Sequence, residues 1–510
     1  MQTRKSESQK KSPALHSAAA QPELGPDPGM HWISFIAIAA FFLALIAYNF
    51  VDIDLWHQMA LIRESLAAGH LLRADPFAYT PTLRPWIDHE WGAGVIAFYT
   101  TRWLGAGGIL LVKFLMALGT GLFCWRAARR AGTDFRLWTA CAPLAIFLAH
   151  LGFFAAIRAQ VYSFFFVALL MYFWELDRKG SRRWIVLWLL LFPLWINLHG
   201  GFVAGIGLMG LHTVEQLLRR AKFRHLLAVL AIMLWETLLT PYGTTYFGYL
   251  RRALFMNRPF VPEWRPVWDL GPFWVICLTA ACAVVVYAVA SAGFQKIPGI
   301  LVLAATAIEA ALHRKLLPLF AIAWLCCVPL YLQQTPAGAW VLDFLRHRRK
   351  FVLAAWATLA CASVIAAARL KPWETSVPQP LYSVGPVSYL VEQKFSGNLM
   401  VPFRLGAYVS WKLFPAVKVS LDSRYEETYS DELMNRLFGF YEAEAGWQAA
   451  LTAYPTDLVL IPRDAAVSKR MPETGWQRVY VDKEFELYAR PGLALRATDW
   501  SSQSFRGTFP

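Results

Sequence analysis

The chain of 510 residues is 57% hydrophobic and only 16% charged, well under the roughly 25% charged residues of an ordinary soluble domain. With 23 Trp and 19 Tyr, which suit a protein with two water–lipid interfaces, the composition predicts a polytopic α-helical membrane protein. The formal charge of +15 does not imply a nucleic-acid partner, because the basic residues fall in short clusters between apolar runs, the pattern of the positive-inside rule.

Residues 1–30 are polar, with Arg4, Lys5, Lys10 and Lys11 and no apolar core. A disordered cytoplasmic tail is expected there, not a signal peptide. Residues 31–51 are apolar and long enough to cross a bilayer, since about 20 helical residues span roughly 30 Å. Asp52 and Asp54 follow where the chain leaves the hydrocarbon, and Asp88, His89 and Glu90 return to the surface later in the same loop. Carboxylates beside lipid are costly and by default mark function. The cluster points to chemistry on a substrate held at the membrane surface.

Within this loop, about 52–105, Leu55, Met59, Ile62 and Leu66 recur at helical spacing before Gly69. The spacing predicts a short amphipathic helix over 54–68 lying on the membrane. Asp54 then reads as a helix N-cap, a functional carboxylate or both, and His57 as a surface residue. Residues 91–104 are apolar but short and carry Arg102, so a helix lying in the outer interface is expected.

Further apolar runs lie near 106–125, 137–155, 159–175, 184–197, 201–218, 225–240, 272–292, 297–312, 316–332 and 351–369. With the first they give about 11 transmembrane helices. The clusters Arg126/Arg129/Arg130/Arg136, Arg178/Lys179/Arg182/Arg183, Arg219/Arg220/Lys222/Arg224, the single Lys296 and Arg346/Arg348/Arg349/Lys350 all fall in alternate loops. The positive-inside rule puts these and the N-terminus in the cytoplasm and the C-terminus outside.

The outer face then carries Arg158 and Gln160, Asn197 and His199 before the Gly200–Gly201 pair, Glu263-Trp264-Arg265, and His313, Arg314 and Lys315. The last group is the only basic cluster that the alternation places outside, and an anionic lipid head group is its natural partner. Arg158 reads as a snorkelling side chain or, with Gln160, as a phosphate or sugar contact. Asn197 and His199 read as helix-end hydrogen bonders or substrate contacts beside glycines that allow close backbone approach. All seven cysteines lie in apolar segments, where they act as small buried hydrophobes; no disulfide framework is expected.

Over 371–510 the apolar runs shorten to strand length, at 398–403, 416–421 and 457–461, around a helical stretch near 429–453. This predicts a small α/β domain large enough for its own core. It has no Gly-rich phosphate loop, no Cys/His metal set and no nucleophile elbow. Its densest polar run, Asp422-Ser423-Arg424-Tyr425-Glu426, reads as a strand-end ion pair or as a contact with an acceptor or with the membrane domain.

An Asp motif closing the first crossing, a long outer loop, many crossings and a C-terminal outer domain together resemble the GT-C superfamily. The closest local resemblance is to the bacterial protein O-mannosyltransferase-like and lipid-linked-sugar transferase group. The phrases that carry it are Asp52-Ile53-Asp54-Leu55-Trp56-His57, Asp75-Pro76-Phe77-Ala78-Tyr79-Thr80, Trp86-Ile87-Asp88-His89-Glu90-Trp91 and Trp195-Ile196-Asn197-Leu198-His199-Gly200-Gly201, with Gly406-Ala407-Tyr408-Val409-Ser410-Trp411 and Leu421-Asp422-Ser423-Arg424 near the C-terminus. The resemblance covers nearly everything after residue 31 and is weak for substrate.

The resemblance implies an enzyme of the bacterial cytoplasmic (inner) membrane. It would move a sugar from a polyprenyl-phosphate carrier to a hydroxyl of a glycan, lipid or protein acceptor at the outer face. The acceptor hydroxyl must lose a proton, so a carboxylate is needed as base, with Asp54 first and Asp52 as alternative. Developing phosphate charge needs cations. Asp88, His89, Glu90, Arg158, Gln160, Asn197, His199, His313, Arg314 and Lys315 are the candidate substrate contacts, with His89 or Glu90 orienting the acceptor. An Asp-x-Asp pair can also hold a divalent cation, Mg or Mn, though several GT-C relatives work without one. Two other classes share parts of this pattern. A lipid-linked-substrate transporter would show internal repeats and broken helices near the midplane, which this chain lacks. A non-catalytic envelope assembly protein with a degenerate GT-C fold would share every feature except turnover.

Overall fold

The computed structural model describes residues 28–510 apart from 257, 259, 260, 372 and 380. The tail expected over 1–30 lies outside the described residues as far as residue 27, and 28–30 already belong to the first helix. Every apolar run of the sequence is helical: Pro28–Leu45, Ala106–Ala131, Phe135–Ala149, Gln160–Arg178, Arg183–Leu198, Phe202–Leu218, Arg224–Glu236, Pro272–Ala292, Ile300–Leu312, Leu317–Gln333 and Arg349–Leu370. Five of the helical stretches are long and apolar enough to cross a membrane unaided, and four others are apolar but shorter.

The first helix stops at Leu45, short of the expected residue 51. The reason is a buried ammonium. Lys113, on the helix Ala106–Ala131, donates to Ile46 O at 2.6 Å, Tyr48 O at 2.8 Å and Asn49 Oδ1 at 2.9 Å. Three acceptors satisfy its three hydrogens, and they hold the chain out of helical register. Residues 49–51 then pair with Ser376, through Ser376 N to Asn49 O and Val51 N to Ser376 O. Tyr382 Oη adds a bond to Val51 O. The segment that delivers Asp52 is thus gripped from both the membrane helices and the C-terminal region.

The two ends of the helix bundle differ in chemistry. Asp134 N bonds to Gln333 Oε1 and the Asp134 carboxylate pairs with Arg346. Gln334 reaches Lys296 O, Arg219 donates to Ile297 O, and His225 pairs with Asp177 next to Arg182. These contacts gather the loops bearing the basic clusters at one end, as the alternation in the sequence demands. The other end carries Asp52, Arg158, Glu263 and Lys315. The helix Trp91–Leu104 starts there and feeds Ala106–Ala131, whose Lys113 lies beside the end of the first helix.

The C-terminal domain is a six-stranded mixed sheet with helices, ordered 417–419, 397–400, 458–462, 485–489, 477–481, 498–499. The first three strands are parallel, and 485–489 runs antiparallel to both neighbours. Leu458–Pro462 and Phe485–Ala489 are buried at every position, as strands covered on both faces are. The outer loop belongs to this domain as much as to the membrane. Val419 N bonds to Phe77 O and Tyr79 N to Val419 O, adding a short parallel bridge to the sheet edge. Arg424, fully buried, forms ion pairs with Asp75 at 2.6 Å and Asp422 at 2.7 Å. Losing one partner of such a network typically costs about 3–5 kcal/mol, so the polar run 422–426 is first of all a clamp on the loop.

The loop helix, Ile53–Ala68, does not lie on the membrane surface as expected. Leu55 to Ile62 are all buried, and Trp56 is enclosed by Tyr382, Tyr408 and Phe509. The helix is sandwiched between the bundle and the C-terminal domain, because its polar-looking face meets protein and not water. It ends where the sequence signals, at Gly69 in the left-handed conformation (φ +73°) with its N–H on Leu66 O, a position that suits glycine.

Candidate functional site

Asp52, not Asp54, is the N-cap of this helix: its Oδ1 accepts from Asp54 N at 3.1 Å. That leaves the Asp54 side chain, in the first turn and one-third exposed, lining a cavity of about 640 Å³. The helical period puts His57 on the same face. It is buried, bonded to Ser423 Oγ at 3.1 Å, and pushed down to about 4 by burial; the surface placement read from the sequence was wrong because the C-terminal domain covers it.

Arg158 is the hub of the carboxylates. Its Nε lies 3.2 Å from Asp52 Oδ2, its Nη2 4.0 Å from Asp54 Oδ2, and its two Nη atoms make a bidentate pair with Glu263. Burial and then the Asp52 charge hold Asp54 well above the usual carboxylate range, against the pull of Arg158. Burial also raises Asp52, again opposed by Arg158. Glu263 goes the other way: burial would raise it, but Arg158 outweighs burial and holds it down.

A second group of charged side chains lines the same cavity. Glu90 accepts from Gln58 and lies 3.3 Å from His89 Nε2 and 3.6 Å from His199 Nε2. His89 Nδ1 forms an ion pair at 2.5 Å with Glu427 of the C-terminal domain. Burial would lower His89, but Glu427 and Glu90 overcome it and keep the ring charged, while the same contact holds Glu90 down at about 2. His199 is different: burial lowers it to about 4. Its Nδ1 accepts from Gly201 N at 3.0 Å and meets Ser163 Oγ at 2.7 Å, so the neutral ring carries its proton on Nε2, toward Glu90. A Cβ on Gly201 would meet Ser163 Oγ at 2.4 Å, the close approach expected of the glycine pair.

Gln160, His199 and Lys315 line the cavity with Asp54, His89, Glu90 and Arg158. Three candidates line neither this cavity nor the smaller one beside it. Asn197 accepts from Trp91 Nε1 and donates to Pro193 O and Leu239 O; its amide is consumed in holding helix ends. Asp88 sits behind the wall, accepting from Glu90 N and raised to about 7 by burial and by Glu427. His313 bonds to Trp264 O and props that ring edge-on. A second cavity of about 350 Å³ shares Arg158, Gln160, Glu263 and Lys315 with the first and is otherwise lined by apolar residues such as Phe50, Leu151, Phe154 and Leu381, with Asp52 and Arg314.

Glu263 and Ser423, which the sequence placed on the outer face and in the polar run 422–426, line the main cavity. Arg258, Arg404 and Glu427 line it too and escaped the sequence, where nothing local distinguishes them. For His57 the helical period from Asp54 was a usable signal. Arg158 already supplies a positive charge beside the Asp52–Asp54 pair. Among the described residues no three His, Cys, Asp or Glu side chains converge as a metal ion would need.

No family model and no curated protein matches this sequence. Among solved structures, the chain is similar to the crystal structure of ArnT from Cupriavidus metallidurans in the apo state, at 13% identity. The match covers 91% of this chain and 98% of that one with a TM-score of 0.55. The fold is GT-C. At that coverage the GT-C likeness embraces the bundle, the outer loop and the C-terminal sheet together, as the resemblance in the sequence implies.

Proposed function

We propose that this chain is a membrane glycosyltransferase that moves a sugar from a polyprenyl-phosphate carrier to an acceptor hydroxyl, with Asp54 as general base. The observation that carries the reading is the pair of cavities meeting at Arg158. The smaller has apolar walls for a prenyl chain and Arg314 and Lys315 for its phosphate. The larger is the more polar of the two and is lined by the Asp54 carboxylate. The likeness in fold to ArnT agrees with a lipid-linked sugar donor in general.

In this reaction the acceptor oxygen forms a bond to the anomeric carbon as the bond from that carbon to the phosphate oxygen breaks. The hydroxyl proton passes to Asp54, and the electron pair leaves on the polyprenyl phosphate. A carboxylate whose affinity for protons is raised by burial, as at Asp54, is a better base than a free one. Arg158, Arg314 and Lys315 stabilise the departing charge, and charged His89 with Glu90 orients the acceptor. The basic end of the bundle faces the cytoplasm of a bacterial inner membrane and the cavities open at the outer face.

The test is reconstitution of the full chain in liposomes with polyprenyl-phosphate sugars. Release of free polyprenyl phosphate that depends on Asp54 supports the reading. Absence of both donor binding and release across the common hexose and pentose carriers would instead support a non-catalytic assembly role.

A further inference from the structure

We infer that the C-terminal domain builds the acceptor half of the main cavity, and that this half takes the pyranose rings of an uncharged glycan. The inference rests on the transferase reading for what happens next, but the binding site stands on its own geometry. The wall facing Asp54 carries Phe403 and Phe438, with ring centroids 5.8 Å apart and tilted by 40°, and Tyr425 edge-on to Phe403 at 5.9 Å. Phe403 and Phe438 are only half-buried, their inner sides joined to the domain's own core. Around them stand Arg404, Glu442 and Asp464, all exposed and, among the described residues, without an ion pair or side-chain hydrogen bond to protein.

That combination matches a sugar ring. The C–H face of a pyranose lies on an aromatic ring, while its hydroxyls need both acceptors and donors, which two carboxylates and a guanidinium supply. An acyl chain would want an unbroken apolar groove, and here three charged groups interrupt it. A peptide adding to the sheet would need a free strand edge, but the edge at 417–419 is already bridged by Ala78. An anionic acceptor is disfavoured as well, with two carboxylates against one guanidinium and Glu427 committed to His89. Ser423 and Asp54 line the same cavity as these aromatics, so a ring seated on them can present a hydroxyl to that carboxylate.

The experiment applies the labelled full chain in nanodiscs to an array of neutral, phosphorylated and carboxylated glycans. Neutral glycans should be retained, with signal reduced about tenfold by Phe438→Ala. A similar loss is expected for Glu442→Gln combined with Asp464→Asn, two exposed positions that leave the core intact; thermal unfolding checks that both variants fold. No retained glycan, a preference for phosphorylated ones, or an unaffected double variant would overturn the inference. Glycan binding without any donor turnover would sink the transferase reading and leave this one standing.

Discussion

Arg158 places its Nε 3.2 Å from Asp52 Oδ2 while its Nη atoms grip Glu263. One guanidinium therefore fixes the helix cap, steadies a loop more than a hundred residues away in sequence, and lies at the meeting of the two cavities. Because Asp52 is occupied as cap and as Arg158's partner, the proposed proton-accepting role falls to Asp54. The roles of the two carboxylates differ, and so should their variants.

Asp54→Asn keeps the shape of the first turn and leaves the Asp52 cap untouched. A well-placed base typically contributes about 10²–10⁴-fold, so transfer should fall by about that factor with thermal stability unchanged. Asp54→Ala should behave alike, since Asp54 does not cap the helix. Near-normal turnover in both, measured as release of polyprenyl phosphate, would move the base to Glu90.

The pH profile follows from the same geometry. Asp54 must be ionised to act, and burial together with Asp52 holds it well above 3.8. Transfer should therefore be lost on the acid side at a pH higher than that of a free carboxylate. Asp52→Asn removes the second cause and should shift the acid limb of kcat/KM to lower pH, while still capping the helix. An unmoved limb would show that Asp54 is not the titrating group.

The ion pair between His89 and Glu427 ties the loop to the C-terminal domain. The folded ring is held well above 6.5, so its contribution to stability is fully present below about pH 6.5, the ordinary value. It is lost as pH rises through the elevated one. Thermal unfolding in detergent should therefore show a stability decline above neutral pH that Glu427→Gln flattens. Identical curves for the two proteins would remove this contact from the docking of the domain.

Arg314 lines the smaller cavity and leaves the Asp54 cavity to its neighbour Lys315. Arg314→Ala should weaken binding of a polyprenyl-phosphate donor, read as a raised KM or Kd, more than it lowers Tm. Unchanged donor affinity would assign the cluster to anionic bilayer lipid.

Orientation is checked with reporter fusions. Those after Arg130, Arg183 and Arg224 should report cytoplasmic, and those near Ala74 and after Ser383 external. The ion pairs of Asp75 with Arg424 and of His89 with Glu427 require the last two to agree. A cytoplasmic signal from both would invert the proposed site.

Along one dimension the chain declares itself. Lipid demands long apolar helices and sorts basic residues to one side, so the helices, the alternate basic loops and the strand-length runs after residue 371 are all legible from local composition. Asp52 and Asp54 stand out for the same reason, as carboxylates at a hydrocarbon boundary. The role of each was not legible, because the start of the helix is set by Lys113 and Ser376 pulling residues 46–51 out of helical register. For Asn197 the sequence offered both a helix-end hydrogen bond and a substrate contact, and the fold shows the first; that Glu427 faces the cavity was not legible at all. A side chain's direction depends on which distant segment packs beside it. Only the closing of the C-terminal domain onto the outer loop buries His57, charges His89 and completes the wall opposite Asp54.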